Sequence, residues 1–210
     1  MESTEQTSSA TPALRRRGTR HAPAETRRAQ ILTAALGCFA ASGYERATID
    51  DVARDAGLSK GSVYRFFSSK DALLFALFDE FERLVLAELD GADGDEVLPK
   101  LERTGAMVAD VLGGQRHLMQ TWIEFFGHRG SRERMSGLYD RMRQRIARMV
   151  RAGVRSGEIA KVDPADAAAT VVGALEGLLL QAMVDPDFDA GRRYPGMWQV
   201  LERGLKGTKG

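Results

Sequence analysis

The residues of this chain best placed to do chemistry lie between Thr48 and Lys70. Ser59 is followed at once by Lys60, Gly61 and Ser62, and then by Tyr64 and Arg65. Ser59 can cap a helix that these residues open, and such an opening presents N–H groups and partial positive charge to an anion. Gly61 and Ser62 are small enough to let the helix approach base edges. Ser62, Tyr64 and Arg65 can hydrogen-bond to bases or phosphates, and Lys60 and Lys70 can neutralise phosphates. The chemistry on offer is recognition of a polyanion, not bond-making.

Positioning such a segment requires a scaffold. Thr48 with Asp51 three residues later has the form of a capping box. Val52 and Ala53 supply the apolar contact of a helix only two turns long. Gly57 can take the positive φ that a tight break between helices needs. Leu58 can fill the space under the turn. The inward side of the following helix, over 59–67, is Val63 with Phe66 or Phe67. This is a helix-turn-helix, which an ordinary corner with a solvated basic face could imitate.

Charge is divided along the chain. Residues 10–70 carry eleven Lys or Arg against five Asp or Glu, a balance of +6 within a total of +1. Residues 71–210 carry nineteen against twenty-two. The first third is suited to a polyanion and the remainder is not. The tail over 1–22 has almost nothing to bury and reads as disordered. Its Arg15, Arg16, Arg17 and Arg20 are either simply solvated or an arm on DNA.

From Ala24 onward the apolar spacing is helical, with no alternation typical of strands. About nine helices are expected. The fourth has Leu73, Leu74, Leu77, Phe78, Phe81 and Leu84 on one face and Ser68 or Ser69 as its cap. After a loop over 91–95, Val97, Leu101, Val108 and Val111 mark the next. Leu118, Met119, Trp122, Ile123 and Phe126 mark another, and Met135 to Val150 a long one. Asp163 and Pro164 start the eighth as cap and first residue. A last helix is expected over 194–205. With 43% hydrophobic and 28% charged residues, the composition is that of a globular protein. The apolar stretch Ala167–Val184 is interrupted by Glu176, so no membrane span is expected. The lone Cys38 excludes an internal disulfide, and with no apolar run after the N-terminal arginines the expected location is the cytoplasm.

Catalysis finds little support. His21, His117, His128 and Cys38 do not have metal-ligand spacing, and no nucleophile elbow or phosphate-binding loop is present. No cofactor and no metal are expected. A helical module that binds protein instead of DNA is the second rival, and the charge division argues against it.

The run from Arg28 to Leu74 closely resembles the N-terminal domain of TetR-family transcriptional regulators. Gly57-Leu58-Ser59-Lys60-Gly61, Val63-Tyr64 and Phe67 with Lys70 carry the likeness, without a gap. The segment Asp163–Asp185, with Leu175-Glu176-Gly177-Leu178 and Gln181, is similar to the family's C-terminal dimer region. The resemblance implies an all-α homodimer that binds palindromic double-stranded operator DNA, usually as a repressor released by a small effector. It implies a helix-turn-helix domain over 23–70 and an effector-binding and dimerisation domain over 71–210. Carried over by position, Thr48 and Lys70 would touch phosphate, Lys60 to Arg65 would form the reading helix, Tyr64 would contact the DNA backbone, and Arg65 is a candidate for base readout.

Two further sets complete the expectations. Ala169, Gly173 and Gly177 recur every four residues, a stripe that could bring two subunits close or pack inside its own. Gln181, Trp198 and Leu201 would extend a four-helix interface. Met107, Met119, Trp122, Phe125, Phe126, Tyr139 and Met142 could surround an effector or form plain core. Glu124, His117, Gln120, His128 and Glu176 are the polar groups that could orient a ligand.

Overall fold

The computed structural model describes residues 23–90, 97–113, 116–185 and 187–207, with the side chains of 113, 116–120 and 122 left undescribed. Nine helices make up the described residues: α1 (Ala24–Ser42), α2 (Ile49–Asp55), α3 (Lys60–Tyr64), α4 (Lys70–Leu89), α5 (Val97–Gly113), α6 (Arg116–Gly127), α7 (Ser131–Ser156), α8 (Pro164–Val184) and α9 (Ala190–Lys206). The all-helical class expected from the spacing is found. The basic tail, the loop over 91–95, and the side chains of Met119, Trp122, His117 and Gln120 lie outside the described residues.

Local chemistry sets the boundaries. Thr48 accepts the Asp51 N–H at 3.2 Å while its own N–H donates to the Asp51 carboxylate at 3.1 Å, the reciprocal cap read from the sequence. Ser59 accepts the Ser62 N–H, Ser69 accepts the Ala72 N–H, and Asp163 accepts two amides ahead of Pro164. Ser69, not Ser68, is therefore the cap of α4. Gly57 has φ +62°, the left-handed value that the break between α2 and α3 demands.

Several expected boundaries and faces move. α3 ends at Tyr64, with the chain continuing through a turn, and Phe67 is the buried aromatic while Phe66 is only half-buried. α9 starts at Ala190, four residues early, because Asp189 accepts the Arg192 N–H and caps the first turn, with Pro195 inside the helix. Leu84 and Val111 point outward, and the packing faces are completed by Val85 and Leu112. On α6 the inner aromatic is Phe125, which stacks on Phe78 at 4.4 Å between ring centroids. Phe126, about 100° further round the helix, faces out.

The first three helices share a small core of Ile31, Ala35, Phe39, Val52 and Val63. α4 leaves this core and enters the second, between α5 and α7. α8 lies along α7 and α9, and α5 crosses α9 closely. That crossing has no room for a side chain at Gly105, whose place is taken by the Tyr194 ring and hydroxyl.

Candidate nucleic-acid interface and effector core

The turn after α2 and the short α3 carry one outward surface. Val63 and Phe67 hold α3 down, which turns Tyr64 (47% exposed), Lys60, Gly61 and Arg65 to solvent. A Cβ at Gly61 would meet nothing, so this edge is open to a flat or grooved partner. Thr48 is exposed beside it at the start of α2. Ser59 and Ser62 face each other, their hydroxyls 2.9 Å apart.

Two of the expected cations are already engaged. Lys60 pairs with Asp50 at 2.7 Å, which holds its ammonium above the ordinary range chiefly through that hydrogen bond. Lys70 donates to the carbonyls of Tyr44 (2.7 Å) and Glu45 (3.0 Å) and lies over the Tyr44 ring. An ammonium has three donors, so one N–H of Lys70 remains for a phosphate. The anion-attracting helix end expected of α3 is weak. The helix has five residues, and the Ser62 N–H is already taken by Ser59. What this edge offers an anion is therefore its side chains more than a helix dipole.

A polar cluster that spacing did not reveal joins this unit to the rest. Glu124 of α6 accepts the Tyr44 N–H at 2.5 Å. The Tyr44 hydroxyl donates to Asp71, and His128 Nε2 stands 3.2 Å from the same carboxylate oxygen. Desolvation, followed by the Asp71 charge and hydrogen bond, pushes the Tyr44 hydroxyl well above its ordinary range. The Tyr44 hydrogen bond, aided by His128, holds Asp71 below the usual carboxylate range. The sequence offers Glu124 and His128 as ligand-orienting groups; in the fold their partners are Tyr44 and Asp71. These contacts join residues 80 and 57 positions apart, beyond the reach of a periodicity argument.

The second core holds two small adjoining chambers, of about 30 and 50 Å³. Val85, Val108, Met142, Val172 and Leu175 line both. Tyr139 and Glu176, joined by a hydrogen bond, border the larger one, and burial is the main reason the Tyr139 hydroxyl is pushed up. Of the expected effector set, Tyr139 and Met142 thus reach the chambers. Met107 is half-buried against the core without lining either of them, and Phe126, 44% exposed, is excluded because it faces out.

The stripe on α8 is directed outward. Ala169, Gly173 and Gln181 are exposed and Gly177 is partly so. Leu180 and Val184 continue the strip at 59% and 77% exposure, and Val200 of α9 stands beside it at 71%. Leu201 is half-buried. Trp198 must be removed from this set. It is 2% exposed and lines the smaller chamber, because its position on α9 faces α5 and not the outer surface. α8 is in fact long and apolar enough to cross a membrane, with a mean hydropathy of 1.7 that Glu176 does not lower enough. In this fold it packs on α7 and α9 along one side.

The N-terminal residues 31–77 match a family profile described as bacterial regulatory proteins, tetR family, and residues 100–206 match the C-terminal profile of BetI-type transcriptional repressors. An HTH-type transcriptional regulator, SrpR of Pseudomonas putida, is 31% identical over 180 residues, covering 80% of this chain and 81% of that protein. The A-factor receptor protein of Streptomyces griseus is 27% identical over 81% of this chain and 60% of its own length. A transcriptional repressor of Mycobacterium tuberculosis is 46% identical over 54 residues, 26% of this chain and 29% of its own. The chain thus spans less than two thirds of these last two relatives. Among solved structures, Salmonella enterica GusR superposes with a TM-score of 0.71 at 22% identity, covering 88% of this chain and 98% of that one. FadR from Bacillus subtilis, in complex with stearoyl-CoA, gives 0.67 at 22% identity over 84% and 98%.

Proposed function

The chain belongs to the tetR family of bacterial regulatory proteins, and we propose that it is a homodimeric, sequence-specific repressor that a small apolar or amphipathic effector releases from a palindromic operator. In this reading residues 23–70 bind DNA, residues 71–210 dimerise and hold the effector, and the protein works in the cytoplasm, where its operator is. The observation that carries it is the outward face of α3. Val63 and Phe67 are buried beneath a helix whose Lys60, Gly61, Tyr64 and Arg65 are left to solvent. Thr48 and Lys70 flank that face as phosphate contacts.

One such helix touches too little DNA for tight specific binding, so two copies read two half-sites. The uncovered strip of Ala169, Gly173, Gly177, Leu180 and Gln181, with Val200 and Leu201, supplies the surface for the second copy. Effector enters the core beside Tyr139 and Met142. Bound ligand can change operator affinity only through its differential affinity for two spacings of the reading helices. α4, which runs from the DNA-binding unit into that core, and the Tyr44–Glu124 contact are the mechanical links.

Selection of bound sequences from a random DNA pool tests this reading. The expected product is an inverted repeat whose half-site centres lie roughly 34–36 Å, or a multiple, apart. Recovery of no enriched sequence, or of one without two-fold symmetry, overturns it.

A further inference from the structure

We infer that the indole N–H of Trp198 is the recognition donor of a ligand site in the second core, for an uncharged, largely apolar molecule that carries a hydrogen-bond acceptor such as a ketone, lactone or ether oxygen. The inference deepens the effector reading above and rests on it.

Trp198 lines the smaller chamber, and its Nε1 is buried without an acceptor among the described residues. Buried donors are almost always paired, and a buried indole usually finds a partner. The other polar groups beside it have theirs. Thr104 donates to the Lys100 carbonyl at 3.0 Å, and the Tyr194 hydroxyl donates to the Glu102 carbonyl at 2.9 Å. Trp198 is therefore left with a donor that has no protein acceptor, in a wall whose other side chains, apart from the already paired Thr104 and Tyr194, are valine, leucine, isoleucine and methionine.

That wall sets the class of ligand. No Asp, Glu, Lys or Arg lines the smaller chamber, so a net charge would be buried there unpaired. An acceptor on an apolar frame satisfies the indole and leaves nothing else to desolvate. The chambers are small, yet they share Met142 and Leu175, and Met197 adds a second flexible side chain. Unbranched methionines re-pack at low cost, so the two spaces can merge around an elongated guest. At the far end the Glu176 carboxylate, holding the Tyr139 hydroxyl, could accept a hydroxyl from the same guest.

The test uses the full chain, the ketone 2-nonanone as probe, and the two tryptophan indole resonances in a 15N-labelled sample, assigned with Trp122→Phe. Added ketone is expected to move the Trp198 indole proton downfield. Trp198→Phe, which keeps an aromatic ring and loses the donor, is expected to weaken ketone binding by about three- to tenfold. A Trp198 resonance that stays put at the highest soluble ketone concentration overturns the inference, as does undiminished binding by Trp198→Phe, which would leave the donor to a bound water only. The resonance is read on the unaltered chain, so the result stands even if the variant fails to fold. Fluorescence anisotropy of the selected operator in the same titration separates the two readings. Operator release with a silent Trp198 overturns this inference and keeps the repressor reading; a shifted Trp198 with the operator still bound keeps this inference and counts against release.

Discussion

Glu124 on α6 accepts the backbone N–H of Tyr44, in the turn after α1, at 2.5 Å. The bond joins the unit that carries α3 to the helices that enclose the second core. Its neighbours reinforce it. Asp71, one residue into α4, receives the Tyr44 hydroxyl and faces His128, while Lys70 closes the carbonyls of the same turn. A displacement of α6 therefore reaches both the end of α1 and the start of α4.

Breaking that bond should register in stability. Glu124→Ala leaves a part-buried N–H without its charged acceptor, at a cost of about 1–3 kcal/mol. Gly43→Ala should have a similar effect by a different route. Its φ of +78° disfavours any Cβ, and the added methyl would meet the Glu124 carboxylate at 3.1 Å. Urea unfolding followed by circular dichroism measures both; midpoints equal to that of the unaltered chain would remove the contact from the list of what holds the two units together.

The same cluster has a pH signature. Asp71 is held below the usual carboxylate range, first by the Tyr44 hydroxyl and then by His128. A carboxylate lowered in the folded state contributes its full stabilisation above its unfolded value, about 3.9, and loses it as pH falls through the folded one. The stability difference between the unaltered chain and Asp71→Asn should thus be constant from pH 6 to about 4.5 and shrink below about 4. Thermal melts across that range test it. A difference that grows on acidification would reverse the assigned direction.

What could be read from the residues and what could not divides by range. The Thr48–Asp51 box, the Gly57 turn, the Ser59 cap and the Asp163-Pro164 start are contacts within three residues, and each is where the spacing placed it. The fold class followed from the same local signals. Phe125 against Phe126, Leu84 against Val85 and the inward turn of Trp198 depend on which neighbour a helix meets, and adjacent apolar residues on one helix look alike until that is known. The pairing of Tyr44 with Glu124 and of Asp71 with His128 could not be read, since contacts between residues 80 and 57 positions apart have no periodicity, and Glu124 and His128 are legible only as polar groups near a core. The start of α9 has a local signal too: Asp189, three residues before Arg192, caps it, whereas apolar spacing begins only at Tyr194.

On the proposed DNA-binding face, Lys60 is paired with Asp50, and a phosphate would have to compete with that carboxylate. Lys60→Ala should weaken operator binding and lower the slope of log K against log salt by about 1. Asp50→Asn should act oppositely, since it frees the ammonium and removes a negative charge. Gly61→Ala separates folding from binding. Its methyl meets nothing in the protein and should stabilise the chain by about 0.5 kcal/mol, yet it stands where DNA must approach. Anisotropy titrations at several salt concentrations read all three; tighter binding by Lys60→Ala or unchanged binding by Gly61→Ala would move the interface elsewhere.

The α8 strip offers a test in which folding and association are separable. A Cβ at Gly173 or Gly177 would meet nothing within its own subunit, so a larger side chain there is accommodated by the single chain. Across a two-fold interface the same side chain meets its own copy. Gly173→Leu should therefore leave the thermal midpoint of the monomer unchanged or slightly raised while weakening dimerisation. Leu180→Glu places a carboxylate on the same strip, where Leu180 is now 59% exposed. Residues at the centre of such a patch are worth about 2–4 kcal/mol, which is roughly thirty- to several-hundredfold in the dissociation constant. Sedimentation velocity from nanomolar to micromolar protein resolves a change of that size. Operator affinity should fall with the dimer, since each monomer then holds only one half-site; a Gly173→Leu chain that stays dimeric at nanomolar concentration would place the second copy on another face.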